Sequence, residues 1–347
     1  MKRSNLSQIL MVGVSAAALW AVPASVAIAQ DMPGEGTTVK MGRATWDTGW
    51  FHAEIYKQLL EKVGYEVEGP TTLDNPPFYQ AVSQGDLDLW VNGWFPLHNT
   101  YESTFENGAE KVGYVAEGGA LEGYLVDKAS VDKFGIKSLA DFKRPEVKEA
   151  FDRDGDGKAD LVACPPGWGC EIMIEHHLDA YGLRDDINPI KASYAASMAD
   201  AIAAKGEGSP ILFYTWTPNW TVNALKPGED VNWIEVPEIN LPEAQKDLAD
   251  AATRAGVTGC VADPCKLGFP ANDIRPVANS EFLEENPAAK ALLQEIKIPL
   301  DAIFSQNARM NAGEGDAEDI ERHATEWIDA NADLVDGWLT TARNASM

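Results

Sequence analysis

Two similar segments that end in a Trp-x-Pro motif constrain the fold of this 347-residue chain more than any other feature. The two segments are residues 85–96 (GDLDLWVNGWFP) and 209–218 (SPILFYTWTP). Each follows a stretch with helical spacing, and each is predicted to form a short buried strand that ends at a proline. A helix that leads into a buried strand is typical of α/β units, in which parallel strands are joined by right-handed crossovers. The repeat therefore predicts two such sheets, with Trp94 and Trp216 at strand ends.

The segments around the repeats extend this pattern into two lobes. Before the first repeat the pattern predicts strands at 39–44 and 64–67 and helices at 52–63 and 77–84, whereas helices at 170–181 and 197–205 precede the second repeat. Chains longer than about 250–300 residues rarely fold around one core, and a strand at 273–279 returns the chain to the first sheet. We therefore expect lobe 1 to comprise residues 30–120 plus about 266–347, and lobe 2 to comprise residues 121–265, each a parallel-type sheet flanked by helices.

The N-terminus is typical of a secretory signal peptide. Lys2 and Arg3 precede an uncharged apolar run at 9–22, and Ala27-Ile28-Ala29 offers a site for cleavage near Ala29. A membrane anchor is the alternative, but the apolar run is shorter than the roughly 20 residues that a spanning helix needs. Residues 1–29 are therefore predicted to be a signal peptide, and the mature chain to be exported.

The charge of the mature chain excludes one class of partner. Without Lys2 and Arg3, 26 of the 28 basic residues remain against 54 acidic residues, which gives a net charge of −28. Nucleic-acid binding requires a basic surface that contacts phosphates, so this function is excluded.

The chain contains four cysteines, an even number that suits an exported protein with disulfides. Local pairs, Cys164–Cys170 and Cys260–Cys265, are the simplest arrangement, although four cysteines allow three connectivities. A zinc site is the weaker interpretation, because both spacings are wider than Cys-x-x-Cys.

Three tryptophans are candidates for ligand binding: Trp94, Trp216 and Trp168, which lies within the sequence CPPGWGC at 164–170. All three lie at loop or strand ends beside glycine or proline, where a ring can line a cleft instead of a core. A quaternary nitrogen donates no strong hydrogen bond, but it is attracted to aromatic ring faces by about 2 kcal/mol per desolvated contact. Three or four contacts would supply roughly 6–8 kcal/mol, enough for micromolar binding with a modest anion contact. The alternative is that each tryptophan is a core residue.

Polar groups near these tryptophans could bind the other end of a zwitterion. His98 lies four residues after Trp94 and could donate a hydrogen bond to a ligand oxygen, although it could also be a surface histidine. The glycines beside Trp168 let backbone N–H groups approach a ligand, and the helix that begins near Cys170 presents a positive dipole end that suits a carboxylate.

Residues 152–160 (DRDGDGKAD) resemble a calcium-binding loop. Asp152, Asp154, Asp156 and Asp160 supply oxygens at positions one, three, five and nine, but Ala163 occupies position twelve, where a bidentate glutamate is usual. A structural Ca²⁺ and an acidic turn without an ion both remain open. No other cofactor is expected.

Catalytic motifs are missing from the sequence. It contains no Gly-x-Ser-x-Gly, no His-Glu-x-x-His and no phosphate-binding glycine loop. His176 and His177 are adjacent in a predicted helix, so their side chains face different directions. The chain is therefore not expected to be an enzyme.

Taken together, the motifs closely resemble those of the periplasmic glycine betaine/proline betaine-binding proteins of ABC importers. The stretches that carry the resemblance occur in family order and span nearly the whole mature chain; they are WFPLH at 94–98, DGDGKADL at 154–161, CPPGWGC at 164–170, YTWTP at 214–218 and GFP at 268–270. The resemblance implies a two-lobed type II solute-binding fold in the periplasm, with permease and ATPase subunits as partners and a monomeric chain. It further implies an ammonium box of Trp94, Trp168 and Trp216, carboxylate contacts from His98 and the Gly169 and Cys170 backbone, and a Cys164–Cys170 disulfide.

Two departures from that family bear on the ligand. Residues 45–51 (TWDTGWF) add Trp46 and Trp50, and Glu122 lies where the family more often has an uncharged residue. Extra indoles would shrink the pocket, and a carboxyl group could contact a short polar oxygen or the cation. Both changes favour a ligand smaller than glycine betaine, such as trimethylamine N-oxide, although glycine betaine and proline betaine remain open. The alternative function is an exported enzyme or sensor domain that acts on methylated amines.

Overall fold

The computed structural model describes residues 32–345, which fold into alternating strands and helices. The predicted signal peptide at 1–29 lies outside the described residues. The first part of the chain forms β1 (Thr38–Ala44), α1 (Trp50–Glu61), β2 (Glu66–Leu73), α2 (Asn75–Gln84), β3 (Leu89–Phe95), α3 (Glu102–Phe105), β4 (Ala109–Lys111) and β5 (Ala116–Asp127). Short 3-10 helices at Asp47–Gly49 and Leu97–Tyr101 follow β1 and β3.

The middle of the chain repeats the alternation of strands and helices. It forms α4 (Lys128–Phe134), α5 (Pro145–Phe151), β6 (Ala159–Val162), α6 (Gly169–Ala180), β7 (Ile187–Ile190), α7 (Tyr194–Gly206), β8 (Leu212–Thr217), α8 (Thr221–Ala224) and β9 (Val231–Ile234). Two further 3-10 helices lie at Leu139–Lys143 and Glu243–Ala252.

The last part of the chain returns to the first sheet and ends in helices. It forms β10 (Thr253–Arg254), β11 (Cys265–Lys266), β12 (Asn272–Asn279), α9 (Ser280–Glu285), α10 (Pro287–Glu295), α11 (Leu300–Asn311), α12 (Ala317–Ala330) and α13 (Ala332–Asn344). None of these described helices is both long and apolar enough to cross a bilayer.

The strands form two connected sheets, each partly parallel as predicted. In the first sheet β1 pairs in parallel with β2 and β3, and β12 runs antiparallel to β3. In the second sheet β6 pairs in parallel with β7 and β8, while β5 runs antiparallel to β8 and β9. We call the first sheet with its helices the first half of the molecule, and the second sheet with its helices the second half.

Strand β5 belongs to both sheets, and it crosses between them at 117–120. Ala116 and Ala120 pair with β12, whereas the residues from Leu121 to Val126 pair with β8. Gly118 and Gly119 take positive φ angles of 63° and 80°, which other residues adopt only at a cost, and so the strand can bend there without ending. The limits of the two lobes remain a prediction.

The C-terminal helices pack on the first half. Helix α12 contacts α1, and its residues Ile320, Ala324 and Ile328 are buried, as their spacing predicts. Asn286 occupies the N-cap position, but its side chain donates to the Phe282 carbonyl of the preceding helix and does not cap α10.

Candidate functional site

Four tryptophans line one small cavity, which lies between the two halves. The lining consists of Trp46, Trp94, Trp168 and Trp216 together with Leu97, His98, Glu122, Gly169, Cys170 and Tyr214. The site is therefore suited to a small and largely apolar ligand.

Each half supplies two of the indoles. Trp94 lies near the end of β3, and Trp46 follows β1 at the start of a 3-10 turn. Trp216 lies near the end of β8, and Trp168 is the N-cap residue of α6. All four side chains are buried, so their rings face one another and not bulk solvent.

Three of the rings, those of Trp46, Trp168 and Trp216, are packed edge to face. The centroids of Trp46 and Trp168 are 5.2 Å apart with planes at 70°, and those of Trp168 and Trp216 are 5.7 Å apart at 74°. Aromatic pairs prefer this arrangement, in which the positive edge of one ring meets the negative face of the next. Rings that stand at steep angles present faces in several directions around one point.

Every indole N–H of this cluster already has an acceptor in the protein. Trp46 and Trp94 both donate to Asn92 Oδ1, at 2.7 and 2.8 Å. Trp168 donates to Thr45 Oγ1 at 2.8 Å, and Trp216 donates to Thr48 Oγ1 at 3.3 Å. The four tryptophans can therefore offer a ligand their ring faces, but no free hydrogen-bond donor.

Two of these bonds join the halves directly. Trp168 and Trp216 belong to the second half, whereas their acceptors Thr45 and Thr48 flank Trp46 in the first half. Thr45 donates its own proton to Asp74 Oδ1 at 2.7 Å, which leaves its oxygen as an acceptor for Trp168. The segment 45–48 is thus the part of the first half that closes against the second.

Glu122 is the buried acid of the cavity. Its carboxyl oxygens accept hydrogen bonds from the Tyr214 hydroxyl and from Asn272 Nδ2, the latter at 2.6 Å. Burial raises the pKa of Glu122 from 4.5 to about 7, and the two hydrogen bonds oppose that shift only in part. Near neutral pH this group can therefore be either a neutral donor or a carboxylate.

His98 also lines the cavity, but its ring nitrogens face protein groups. Nδ1 accepts from the Trp94 backbone N–H at 3.2 Å and lies 2.7 Å from the Tyr79 hydroxyl, while Nε2 lies 3.1 Å from the Asn75 amide nitrogen. Burial lowers the pKa of His98 to about 3, so the ring is neutral. The interpretation as a surface histidine is wrong, and a direct hydrogen bond from His98 to a ligand stays a prediction.

The loop around Trp168 has the form that its sequence indicates. The predicted disulfides are confirmed, with Cα–Cα distances of 6.0 Å for Cys164–Cys170 and 6.2 Å for Cys260–Cys265. Helix α6 begins at Gly169, and a Cβ there would lie 2.9 Å from His98 Cδ2, so only glycine fits against that ring. The first N–H groups of a helix have no acceptor within it, and Gly169 and Cys170 bring two of them to the cavity wall.

Trp50 does not belong to the cavity, which corrects one expectation. Its indole N–H donates to the Ala44 carbonyl at 2.8 Å, and the Arg43 guanidinium lies 4.0 Å from the ring centroid. Because Trp50 is the first residue of α1, these contacts draw its ring back beside the end of β1. Of the two aromatic additions at 45–51, only Trp46 reaches the other tryptophans.

Tyr214 and Asn92 were not anticipated from the sequence. Each lies two residues before a cavity tryptophan in the same strand, Tyr214 before Trp216 and Asn92 before Trp94. Side chains two apart in a strand share a face, so this alternation was the signal that could have identified both.

The acidic loop lies apart from the cavity lining. Carboxylate oxygens of Asp152, Asp154 and Asp156 lie within 4.8 Å of one another, as calcium ligands would need to. Asp160 Oδ2 accepts the Arg153 backbone N–H at 3.0 Å, while its Oδ1 is buried without a partner among the described residues. These oxygens fit a hard cation, but Ala163 is buried and offers no twelfth-position carboxylate.

Comparison with known proteins identifies relatives over nearly the whole chain. Residues 37–330 match the family model described as the substrate binding domain of ABC-type glycine betaine transport systems. The chain is 40% identical over 319 residues to the glycine betaine-binding periplasmic protein OusX of Dickeya dadantii, a match that covers 92% of this chain and 93% of the relative. It is 39% identical over 318 residues to the glycine betaine/proline betaine-binding periplasmic protein of Escherichia coli, a match that covers 90% of this chain and 92% of the relative. A trimethylamine N-oxide-binding protein of Pelagibacter ubique is 23% identical over 296 residues, with 82% and 85% covered.

Solved structures share the fold. A lactococcal protein in its closed form with glycine betaine superposes with a TM-score of 0.64 at 20% identity, over 87% of this chain and 99% of that one. A choline-binding protein of an ABC transporter with bound choline superposes with a TM-score of 0.65 at 19% identity. This match covers 89% of this chain and 96% of that one. The predicted two-lobed type II binding-protein fold is thereby confirmed.

Proposed function

Since this chain belongs to the family of substrate-binding domains of ABC-type glycine betaine transport systems, we propose that it captures a small methylated amine in the periplasm and delivers it, as a monomer, to the permease and ATPase of an ABC importer. The observation that carries the proposal is the cavity between the halves, where four indoles converge with all their N–H groups already bonded. Three relatives that are 38–40% identical to this chain are named periplasmic, in agreement with the signal peptide that residues 1–29 predict.

A methylated ammonium is the ligand chemistry that such a cavity selects. A trimethylammonium head has a positive charge spread over methyl groups and needs no hydrogen-bond partner. Each desolvated ring face attracts it by about 2 kcal/mol, so three or four faces reach the roughly 8 kcal/mol of a micromolar complex. Ammonium groups that carry N–H would lose their hydrogen bonds to water and find few acceptors among the indoles.

Glu122 favours trimethylamine N-oxide among the methylated amines. A neutral carboxyl group can donate to the single oxygen of an N-oxide, whereas the carboxylate of glycine betaine would be repelled by an ionised Glu122. The backbone N–H groups of Gly169 and Cys170 are suited to a carboxylate, and relatives at about 40% identity are named for glycine betaine. Glycine betaine is therefore the second candidate, ahead of proline betaine.

One titration series tests the proposed function. Intrinsic fluorescence of the mature protein is followed while trimethylamine N-oxide, glycine betaine, choline and proline betaine are added separately. We expect saturable changes with micromolar dissociation constants for at least one of the first two ligands. Lack of saturation with all four ligands at millimolar concentration would refute a methylated amine as the ligand.

The proposed mechanism is closure of the two halves around the ligand. A ligand that contacts Trp46 and Trp94 on one side and Trp168 and Trp216 on the other binds only the closed form fully, and so it shifts the population towards that form. The hydrogen bonds from Trp168 to Thr45 and from Trp216 to Thr48 join the two halves, so they stabilise the closed state alone.

Replacing Thr45 by valine should weaken binding by about tenfold, because the Trp168 N–H then loses its acceptor in the closed state, at a cost of about 1–2 kcal/mol. The loss should appear in the dissociation rate measured by stopped-flow fluorescence. Thr72→Val is the matched control, since the Thr72 hydroxyl accepts a hydrogen bond from Arg43 at an exposed position. An unchanged dissociation rate in Thr45→Val would show that this bond does not hold the closed form.

An exported enzyme or sensor domain that acts on methylated amines is the alternative. The cavity's titratable side chains are Glu122, Tyr214 and His98; burial raises the pKa of Tyr214, and His98 is a poor base because burial lowers its pKa to about 3. Release of products from a methylated amine by purified protein would favour the enzyme over the binding protein.

We further propose that the loop of Asp152, Asp154, Asp156 and Asp160 binds a structural Ca²⁺. Millimolar Ca²⁺ should raise the melting temperature by about 3 °C or more, because an ion that binds only the folded state stabilises it by mass action. Calorimetry with Ca²⁺ or a chelator would measure the shift. Asp154→Asn should abolish it, whereas Asp132→Asn, a remote exposed site, should not; equal melting temperatures with and without Ca²⁺ would contradict the proposal.

A further inference from the structure

One amide at the back of the cavity bonds two of the four indoles. Asn92 is buried in β3, and its Oδ1 accepts from Trp46 Nε1 at 2.7 Å and from Trp94 Nε1 at 2.8 Å. An amide oxygen has two lone pairs, so these two donors use its whole accepting capacity. Trp46 and Trp94 are the indoles of the first half, and the position of both rings therefore depends on a single oxygen.

The other end of the same amide is held by a buried histidine. Asn92 Nδ2 lies 2.8 Å from His52 Nδ1. Because Oδ1 faces two N–H donors, the amide can point only its NH₂ group towards His52, and Nδ1 must accept. The imidazole proton consequently lies on Nε2, which has no partner among the described residues.

Nearby packing leaves the amide little room to move. A Cβ at Gly49 would lie 2.9 Å from Asn92 Nδ2, so glycine at this position brings the backbone against the amide. His52 itself is buried in α1. The chain His52–Asn92–Trp46/Trp94 thus runs from helix α1 through β3 to the cavity wall.

We propose that Asn92 is a positioning residue for the binding site, which orients the Trp46 and Trp94 ring faces towards the ligand and keeps their N–H groups out of the cavity, with His52 as the acceptor that fixes the amide. This inference rests on the proposed function for its consequence in binding. Loss of the acceptor leaves two buried N–H groups unpaired, and each would have to turn towards the cavity or towards a new partner. Either movement removes a ring face from the cation.

Two substitutions distinguish the effect of the Asn92 hydrogen-bond acceptor from the effect of the side chain's shape. Asn92→Leu keeps a similar volume and removes the acceptor, whereas Asn92→Asp keeps Oδ1 and replaces the NH₂ group by a second oxygen. In Asn92→Asp the proton of His52 should move from Nε2 to Nδ1 so that it can donate to that oxygen. Asn279→Leu is the control, because Asn279 is another buried amide of the first sheet, and among the described residues its side chain bonds backbone groups alone.

The direct readout is the set of indole N–H resonances in a ¹H–¹⁵N spectrum of the unliganded protein, assigned with Trp46→Phe and Trp94→Phe. In Asn92→Leu the Trp46 and Trp94 resonances should move upfield while those of Trp168 and Trp216 stay in place. In Asn92→Asp the Trp46 and Trp94 resonances should stay downfield. The ¹⁵N shifts of His52 should show that its ring proton has moved from Nε2 to Nδ1. Asn279→Leu should move none of the four.

The binding readout is calorimetric titration with trimethylamine N-oxide or glycine betaine. Asn92→Leu should weaken binding by about tenfold or more, the equivalent of about 1.4 kcal/mol, and Asn92→Asp should restore it to within about threefold. The inference is overturned if Asn92→Leu leaves the two resonances and the affinity unchanged, or if Asn92→Asp shifts the indoles as leucine does. If Asn92→Leu does not fold, the Asn92→Asp result and its His52 shifts decide alone. Failure of the wild type to bind either ligand would refute the proposed function, whereas the indole spectrum would still test the positioning role.

Discussion

Replacing Trp168 by alanine should weaken binding of the methylated amine by about 30-fold or more, because one desolvated cation–ring contact is worth about 2 kcal/mol. Trp168 is central to the cluster, with its centroid 5.2 Å from that of Trp46 and 5.7 Å from that of Trp216. Its removal opens the cavity on the side of the second half and also deletes the bond to Thr45. Isothermal titration calorimetry at constant pH and salt measures the loss.

Two further variants, Trp168→Phe and Trp50→Ala, serve as comparisons for Trp168→Ala. Trp168→Phe keeps an aromatic face but loses the N–H, so its affinity should fall between those of wild type and alanine. Trp50→Ala is the matched control, since Trp50 is an indole of the same region whose ring packs on Arg43 outside the cavity, and it should change affinity by less than about twofold. The disulfide Cys164–Cys170 holds the loop, so Trp168→Ala should remain folded by circular dichroism. A folded Trp168→Ala variant with wild-type affinity would remove Trp168 from the site.

The second large effect is expected in the pH dependence of binding, which Glu122→Gln should abolish. With the pKa of Glu122 at about 7, an N-oxide that needs the neutral carboxyl donor should bind about 30-fold more weakly at pH 8.5 than at pH 6. A cationic ligand without an acceptor at that point, such as choline, should show the opposite trend because it favours the carboxylate. Titrations across this range with both ligands therefore give opposite slopes in the wild type and flat profiles in Glu122→Gln.

The same group affects the stability of the unliganded protein. The folded-state pKa of Glu122 lies above its ordinary value of 4.5, so the unfolded chain releases the proton first as pH rises. Glu122 therefore contributes about 3 kcal/mol to the free energy of unfolding below pH 4.5. This contribution is lost as the pH rises to about 7. Urea denaturation of wild type and Glu122→Gln should show this difference between the two pH profiles. Parallel profiles would mean that folding does not raise the pKa of Glu122, which would then be ionised at neutral pH, and the N-oxide argument would fail with it.

The cavity could be predicted from the sequence to the extent that its residues follow local patterns. Trp94 and Trp216 lie near the ends of strands, and Trp168 lies between glycines in a loop closed by two nearby cysteines, so neighbouring residues place all three rings. Trp46 and Trp50 look equivalent in the sequence, yet the end of β1 provides a carbonyl that holds Trp50 away from the cavity. That difference depends on side-chain direction in a 3-10 turn, which composition does not reveal.

The partners that hold the polar groups behind the rings could not be predicted in this way. His98 is held by Tyr79 and Asn75, which come from α2, and Asn92 is held by His52 from α1. Such partners are 19 to 40 residues apart in the sequence, and they meet only when the helices pack on the sheet. The buried state of Glu122 likewise depends on the crossing of β5 between the sheets, where Tyr214 and Asn272 reach it from two different strands.

Calorimetric titration with pairs of ligands that differ in charge but not in shape tests the cation-binding cavity most directly. Trimethylamine N-oxide is paired with tert-butanol, and glycine betaine with 3,3-dimethylbutanoate, in which carbon replaces the charged nitrogen. If ring faces attract the positive charge, at least one charged ligand should bind with micromolar affinity and its neutral-headed partner should bind about 100-fold more weakly or not at all. Equal affinities within each pair, or no binding by either charged ligand, would contradict a site built to bind a methylated ammonium.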